Sequence, residues 1–169
     1  VESKVLDVDS EGNIYIGVET LSWNIEGIAI LCYNNSGSLQ WNNSWGSIYN
    51  EYLHDLTLDS EKNVYLCGTT KYETSQYHFF LVKFGNDGLP EWSTIWGGPN
   101  TDFGKAICVD SSNNVYFTGI TKNFESGLKD IYIAKYSPTG TRLGHVLWDS
   151  GKDDSPYDIT YDKINDKLY

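Results

Sequence analysis

Short apolar runs alternate along the chain with turns rich in Gly, Asn, Asp and Ser. Some runs switch between apolar and polar residues at period two. Others are nearly continuous, as at 79–84, where Phe79, Phe80, Leu81 and Val82 precede Lys83 and Phe84. Alternation marks a strand with one wet face, and a continuous run marks a strand covered on both. No segment sustains the 3.6-residue period of an amphipathic helix. The pattern therefore predicts an all-β chain with essentially no helix.

The runs recur in register. Asp9-Ser10-Glu11-Gly12-Asn13-Ile14-Tyr15 returns as Asp59-Ser60-Glu61-Lys62-Asn63-Val64-Tyr65 and as Asp110-Ser111-Ser112-Asn113-Asn114-Val115-Tyr116. A looser copy starts at Asp162, so the aspartates stand 50, 51 and 52 residues apart. Tyr33, Phe84 and Tyr136 keep the same period, as do Gly37, Gly88 and Gly140, and Trp45, Trp96 and Trp148. Each period predicts four strands. Strand a falls at 5–8, 56–58, 107–109 and 159–161, and strand b follows the Asp-Ser turn at 14–18 and 115–119. Strand c falls at 28–33, 79–84 and 131–136, and strand d runs into the Trp, as at 39–45.

Four-stranded units of about 40–50 residues are the blades of a β-propeller. A stack of hairpins or a sandwich supplies no reason for the period. The units are expected at about 4–53, 54–104 and 105–157, with an incomplete hairpin at 158–169, all in a single partial propeller of about 3.3 blades. Such an arc leaves apolar blade faces and sheet edges open. The chain is thus expected to be a segment of a longer propeller, or to close its ring with other copies. The absence of Met points the same way.

The repeat resembles the bacterial and archaeal β-propeller repeat called SBBP. The second and third copies carry the likeness. They hold Asn63-Val64-Tyr65, Gly68, Thr70, Lys83-Phe84, Gly88, Trp92, Trp96-Gly97-Gly98 and Asp102, then Asn114-Val115-Tyr116, Gly119, Thr121, Asp130, Ala134-Lys135-Tyr136 and Gly140. The first copy departs with Val18 and Cys32 where Gly and Lys are expected. In the third, the stretch after Gly140 lacks the first Trp. The resemblance implies repeats of secreted or cell-surface proteins, with no assigned activity and with about seven blades to a ring.

Charge narrows the partners. Twelve Lys and Arg against 23 Asp and Glu give a formal charge of −11. Nucleic acid is excluded as a general partner, because its binding needs a basic stripe. No apolar run approaches the roughly 20 residues of a membrane-spanning helix, so no membrane insertion is expected. The surplus acid favours a hydrated extracellular or cell-surface location. Cys32, Cys67 and Cys108 stand at three different points of the repeat and read as plain strand residues rather than a disulfide framework.

Alternating strands sort the loops onto two faces. The a–b and c–d turns are short and stereotyped. The b–c and d–a loops vary and are aromatic and acidic, and variable loops on a rigid scaffold usually carry binding. The candidate ligand residues there are Trp23, Tyr77, His78, Asp102, Phe103, Phe124, Asp130 and Asp153, suited to a protein or glycan. Asp7, Asp9 and Glu11 precede Gly12 like a calcium loop. The pattern does not repeat, so turn stabilisation by Asp9 is the first reading and no cofactor is expected. Asn34 and Asn42 head glycosylation sequons, Asn34 in an exposed turn. His54, His78 and His145 occupy unrelated repeat positions, and no nucleophile, metal-ligand or phosphate-loop motif is present, so no catalytic residue is assigned. The expected function is non-enzymatic display or recognition. The alternative is a scaffold for a carbohydrate-active enzyme whose site is completed by missing blades, with paired loop carboxylates such as Asp153-Asp154 as acid and base and with turnover lost on alanine substitution of Asp102 or Asp153. Two structural expectations follow from the register: Trp45, Trp96 and Trp148 occupy equivalent buried positions, and Asp59 and Asp110 cap their turns.

Overall fold

The computed structural model describes residues 2–22, 25–46, 49–72, 76–98, 100–122 and 127–169. Its hairpins begin at the aspartates. Asp59 Oδ1 accepts the backbone N–H of Glu61 and of Asn63, both at 2.9 Å, while Asn63 Nδ2 donates to Oδ2 at 2.9 Å. Asp9 and Asp110 accept the equivalent bonds. The backbone needs a positive φ at the fourth residue of each turn, met by Gly12 (83°), Lys62 (65°) and Asn113 (61°). The capping expected of Asp59 and Asp110 is present in full.

These turns join β1 (Glu2–Val8) to β2 (Ile14–Ser22), β5 (Asn50–Leu58) to β6 (Val64–Tyr72), and β9 (Asp102–Val109) to β10 (Val115–Lys122). The third and fourth strands are β3 (Ile25–Tyr33) and β4 (Leu39–Trp45), β7 (Gln76–Phe84) and β8 (Pro90–Trp96), and β11 (Lys129–Tyr136) and β12 (Arg142–Trp148). Each set forms one antiparallel four-stranded sheet in chain order. The first strands start earlier than the sequence pattern placed them. A register shift at Ser3/Val5 and at Leu53/Asp55 lets the ladder run on past the point where alternation breaks. The fourth copy pairs only β13 (Tyr161–Asp162) with β14 (Lys167–Leu168), extended by reciprocal bonds between Thr160 and Tyr169.

The sheets stack as propeller blades. Their first strands lie against one another, β1 on β5 and β5 on β9. One apolar layer, including Ile28, Ile30, Leu66, Phe80 and Val82, fills the first junction. A second, including Tyr65, Phe79, Leu81, Phe117 and Tyr132, fills the next. The middle blade is covered on both faces, so β7 is buried without a break from Phe79 to Phe84. In the third blade β11 alternates strictly between buried and less buried residues. Among the described residues there is no helix, and so no helix long and apolar enough to cross a membrane.

Aromatic rings wedge the junctions. Trp96 lies over Tyr132 of the next blade at 4.6 Å between ring centres and 12° between planes, and both stack on Phe79. Trp45 meets Phe80 of the next blade at 5.1 Å. Trp41 and Trp92 pack on the next blade's turn glycine, where a Cβ on Gly88 or Gly140 would come within 2.5 and 2.8 Å of the indole. The expectation of three buried tryptophans needs correction. Trp45 and Trp96 are half-buried, and Trp148 is 54% exposed, because no described sheet packs on β12. Leu143, Val146 and Leu147 are exposed beside it.

Two outcomes follow. Replacing Trp96 by Ala is expected to destabilise the chain by about 3 kcal/mol, while Trp148→Ala costs under about 0.5 kcal/mol at dilutions where the chain is unassociated. Denaturant melts of both variants check this: no loss at Trp96 refutes the junction, and equal losses refute the exposure of β12. The second outcome concerns pH. Burial pushes the Asp110 carboxyl up, but hydrogen bonds from Asn114, Lys135 and the Ser112 N–H outweigh it and hold the group below its ordinary value. A depressed carboxyl stabilises the fold above its unfolded pKa of about 3.9, and that stability is lost as pH falls through the folded value. Asp110→Ala is therefore expected to cost about 1 kcal/mol at pH 7. The cost should shrink below about pH 4, and a gap that stays constant to pH 2 in acid melts refutes it.

Candidate functional site

The β1–β2 and β3–β4 turns, with their counterparts in the later blades, lie on one face of the arc, and the β2–β3 and β4–β5 loops and their counterparts lie on the other. The first face is locked by side chains. Lys62 Nζ pairs with Glu11 at 2.6 Å and lies 3.7 Å from Asp9, and the Ser60 N–H donates to Asn113 Oδ1 at 3.1 Å. Asp7, Asp9 and Glu11 are thus not gathered as a ligand set. The ammonium of Lys62 lies against two of them, and Asp7 accepts the Val8 N–H. Asn34, expected to be exposed, is half-buried, because its Oδ1 accepts Ser36 N–H, Ser36 O–H and Ser38 N–H within its turn. Asn42 is exposed on β4.

On the second face, the crossover into each first strand is tied by a carboxylate. Asp102 Oδ1 accepts the Thr121 hydroxyl at 2.6 Å and Oδ2 accepts the Gly98 N–H at 2.8 Å. Asp102 is fully buried, and that burial pushes its carboxyl up. Glu51 meets Thr70 in the same way, and Asp154 accepts Ser150 N–H and O–H at 2.9 and 2.8 Å. Asp102 therefore anchors the loop rather than facing a ligand, and alanine there tests the fold rather than a reaction.

The accessible chemistry lies beyond this tie. A cleft of about 290 Å³ opens between Thr101, Phe103, Ile120, Lys122, Gly127, Lys129 and Asp153. Phe103 forms its aromatic wall and is backed by Tyr77 at 5.2 Å between ring centres, with Tyr52 behind at 6.5 Å. Asp153 is exposed at the rim, where its Oδ1 accepts the Lys129 N–H at 3.1 Å. Phe103 and Asp153, singled out from the sequence, thus fall around one opening, with Tyr77 packed behind Phe103. His78 is half-buried against Gly97, and Asp130 is 3% exposed. Trp23 and Phe124 lie outside the described residues. The three cysteines are free and buried, with burial pushing the Cys108 thiol up to about 12, so all behave as packing residues.

A second cavity, of about 430 Å³, sits where the first strands converge. Asp7, Thr57, Cys108 and Tyr161 reach it from four successive copies. Its position is that of the axial channel of a propeller.

Comparison with known proteins agrees with this architecture. Residues 91–125 match the β-propeller repeat SBBP. That stretch runs from β8 through the Asp102 crossover to Thr121 and beyond, so the match spans a junction between blades. An uncharacterized WD repeat-containing protein of Acanthamoeba polyphaga mimivirus is 24% identical over 180 aligned positions, which cover 83% of this chain and 12% of that protein. Among solved structures, a protein of unknown function from Dyadobacter fermentans DSM 18053 superposes with a TM-score of 0.56 at 11% identity, covering 92% of this chain and 52% of that one. A fucose lectin from Kordia zhangzhouensis, solved with methyl-fucoside, superposes with a TM-score of 0.50 at 10% identity, covering 85% and 95%. The chain carries a β-propeller repeat and is built of propeller blades; it spans about an eighth of its WD-repeat relative and about half of the Dyadobacter protein.

Proposed function

We propose that this chain is a non-enzymatic propeller module of an exported or cell-surface protein, and that it recognises a glycan through the cleft beside Phe103. One observation carries the reading: an aromatic wall, two lysine-bearing segments and the carboxylate of Asp153 converge on a cleft in the variable-loop face. Sugars offer an apolar ring face to an aromatic side chain and hydroxyls to charged groups, and this cleft supplies both partners. The fold shared with a fucose lectin supports the scaffold for such a role. Burial and hydrogen bonding commit Asp102 to the loop, which leaves the enzyme alternative with Asp153 at the rim. Titration of the chain with a panel of monosaccharides, fucose included, followed by NMR shifts at Tyr77, tests the reading. Binding is expected for at least one sugar, weakened tenfold or more in Phe103→Ala, which corresponds to about 1.4 kcal/mol. No binding across the panel, or binding unchanged in that variant, refutes it.

The exposed face of β12 belongs to the same proposal. Val146 and Trp148 share the side of the strand on which Asn43, Trp45, Thr94 and Trp96 are half-buried in the first two blades, and both are exposed here. A further blade of the same polypeptide, or another copy, covers this side. Light scattering of the isolated chain is expected to show association, and a stable monomer at 19.1 kDa with a sharp cooperative melt refutes this.

A further inference from the structure

Three positions converge in every blade: one early in the third strand, one just past the end of the fourth and one five residues further on. In the first blade they are Gly27, Gly46 and Glu51, and a Cβ on Gly46 would lie 3.4 Å from both Gly27 and the Glu51 carboxylate. In the second they are His78, Gly97 and Asp102, where a Cβ on Gly97 would lie 2.2 Å from His78 Nδ1 and 2.8 Å from Asp102 Oδ2. In the third the same register places Asp130, Asp149 and Asp154, and one oxygen from each lies within 4.8 Å of the others. The imidazole and glycine beside Asp102 in the second blade are replaced by the carboxylates of Asp130 and Asp149 beside Asp154 in the third.

Asp130 sets this cluster apart from a solvated acidic patch. It is 3% exposed, and its Oδ1 is buried with no hydrogen-bond partner. The other two carboxylates are held by their own loop. Asp149 Oδ1 accepts the Gly151 N–H at 2.6 Å, and Asp154 accepts both Ser150 donors. Gly151, at φ +78°, lets the loop fold back so that all three side chains meet. Asp154 N–H donates to Lys129 O at 2.7 Å, which fixes the loop to the strand that carries Asp130.

We propose that Asp130, Asp149 and Asp154 bind a divalent cation of the calcium class. Three like charges at this separation repel one another, and a buried carboxylate oxygen without a partner is costly. A hard cation that accepts oxygen ligands in flexible geometry relieves both at once. In the second blade Gly97 and His78 stand at the positions of Asp149 and Asp130, so Asp102 is the one carboxylate among the three positions and no such repulsion arises. The site is separate from the sugar cleft and does not depend on the glycan reading, since its probe is the metal alone.

Calorimetric titration of the chelator-treated chain with calcium chloride, without sugar, tests the proposal. One saturable site is expected, with a rise in melting temperature on adding calcium. Asp130→Asn and Asp149→Asn should each weaken binding tenfold or more, and Asp9→Asn should leave it unchanged. Asp149 is exposed and asparagine keeps its acceptor oxygen, so this variant is expected to retain the fold, with its circular dichroism as the check. No saturable binding and no thermal shift at millimolar calcium overturns the proposal. So does a folded Asp149→Asn variant with undiminished affinity.

Discussion

Each sheet of this protein buries its faces only against the next one, and that constraint shapes the rest. A four-stranded sheet alone leaves one face or both in water. Here the outermost strand of each of the first two blades sends a tryptophan across to the third strand of its successor, and the rings of Trp96, Phe79 and Tyr132 stack in a single pile. The same contact explains what is exposed. Trp148 has the sequence position of Trp96 but no described sheet to receive it, so an identical residue changes from wedge to surface.

Polar groups at the junctions do different work. Apolar wedges set the distance between blades, and side-chain hydrogen bonds set their registration. Asp55 Oδ2 accepts the Ile107 N–H at 2.9 Å near the axis, and Trp92 Nε1 donates to Pro138 O at 2.9 Å near the rim. Glu19 reaches the Leu53 N–H in the same way. Each of these carboxylates accepts from a backbone donor of the neighbouring blade, so the junction satisfies groups that burial would otherwise leave unmade.

The fold was legible because its determinants repeat: a turn that needs an acceptor at one residue and positive φ three residues later leaves the same mark each time. Strand starts were less legible, since the bulges at Ser3/Val5 and Leu53/Asp55 break the alternation that marks a strand. Tyr77, Phe103 and Asp153 were recognisable as loop residues of one face, but that Asp102 is an anchor and Asp153 a rim group depends on burial, which spacing does not encode. Asp149 escaped notice for a different reason. It stands where the second copy has Gly97, and only the three-dimensional register shows that a side chain there meets Asp130 and Asp154.

Because the blades are pinned both at the inner strands and at the outer turns, the angle between neighbours has little freedom. The loop face is accordingly a ruler: a group carried by one blade has its counterpart a fixed step around the wheel. A ligand with several epitopes at that spacing would engage them together, gaining avidity from rigidity alone. A loop can also change from glycine to carboxylate in one blade without moving its neighbours, so the blades can diverge in chemistry while the spacing between them stays constant.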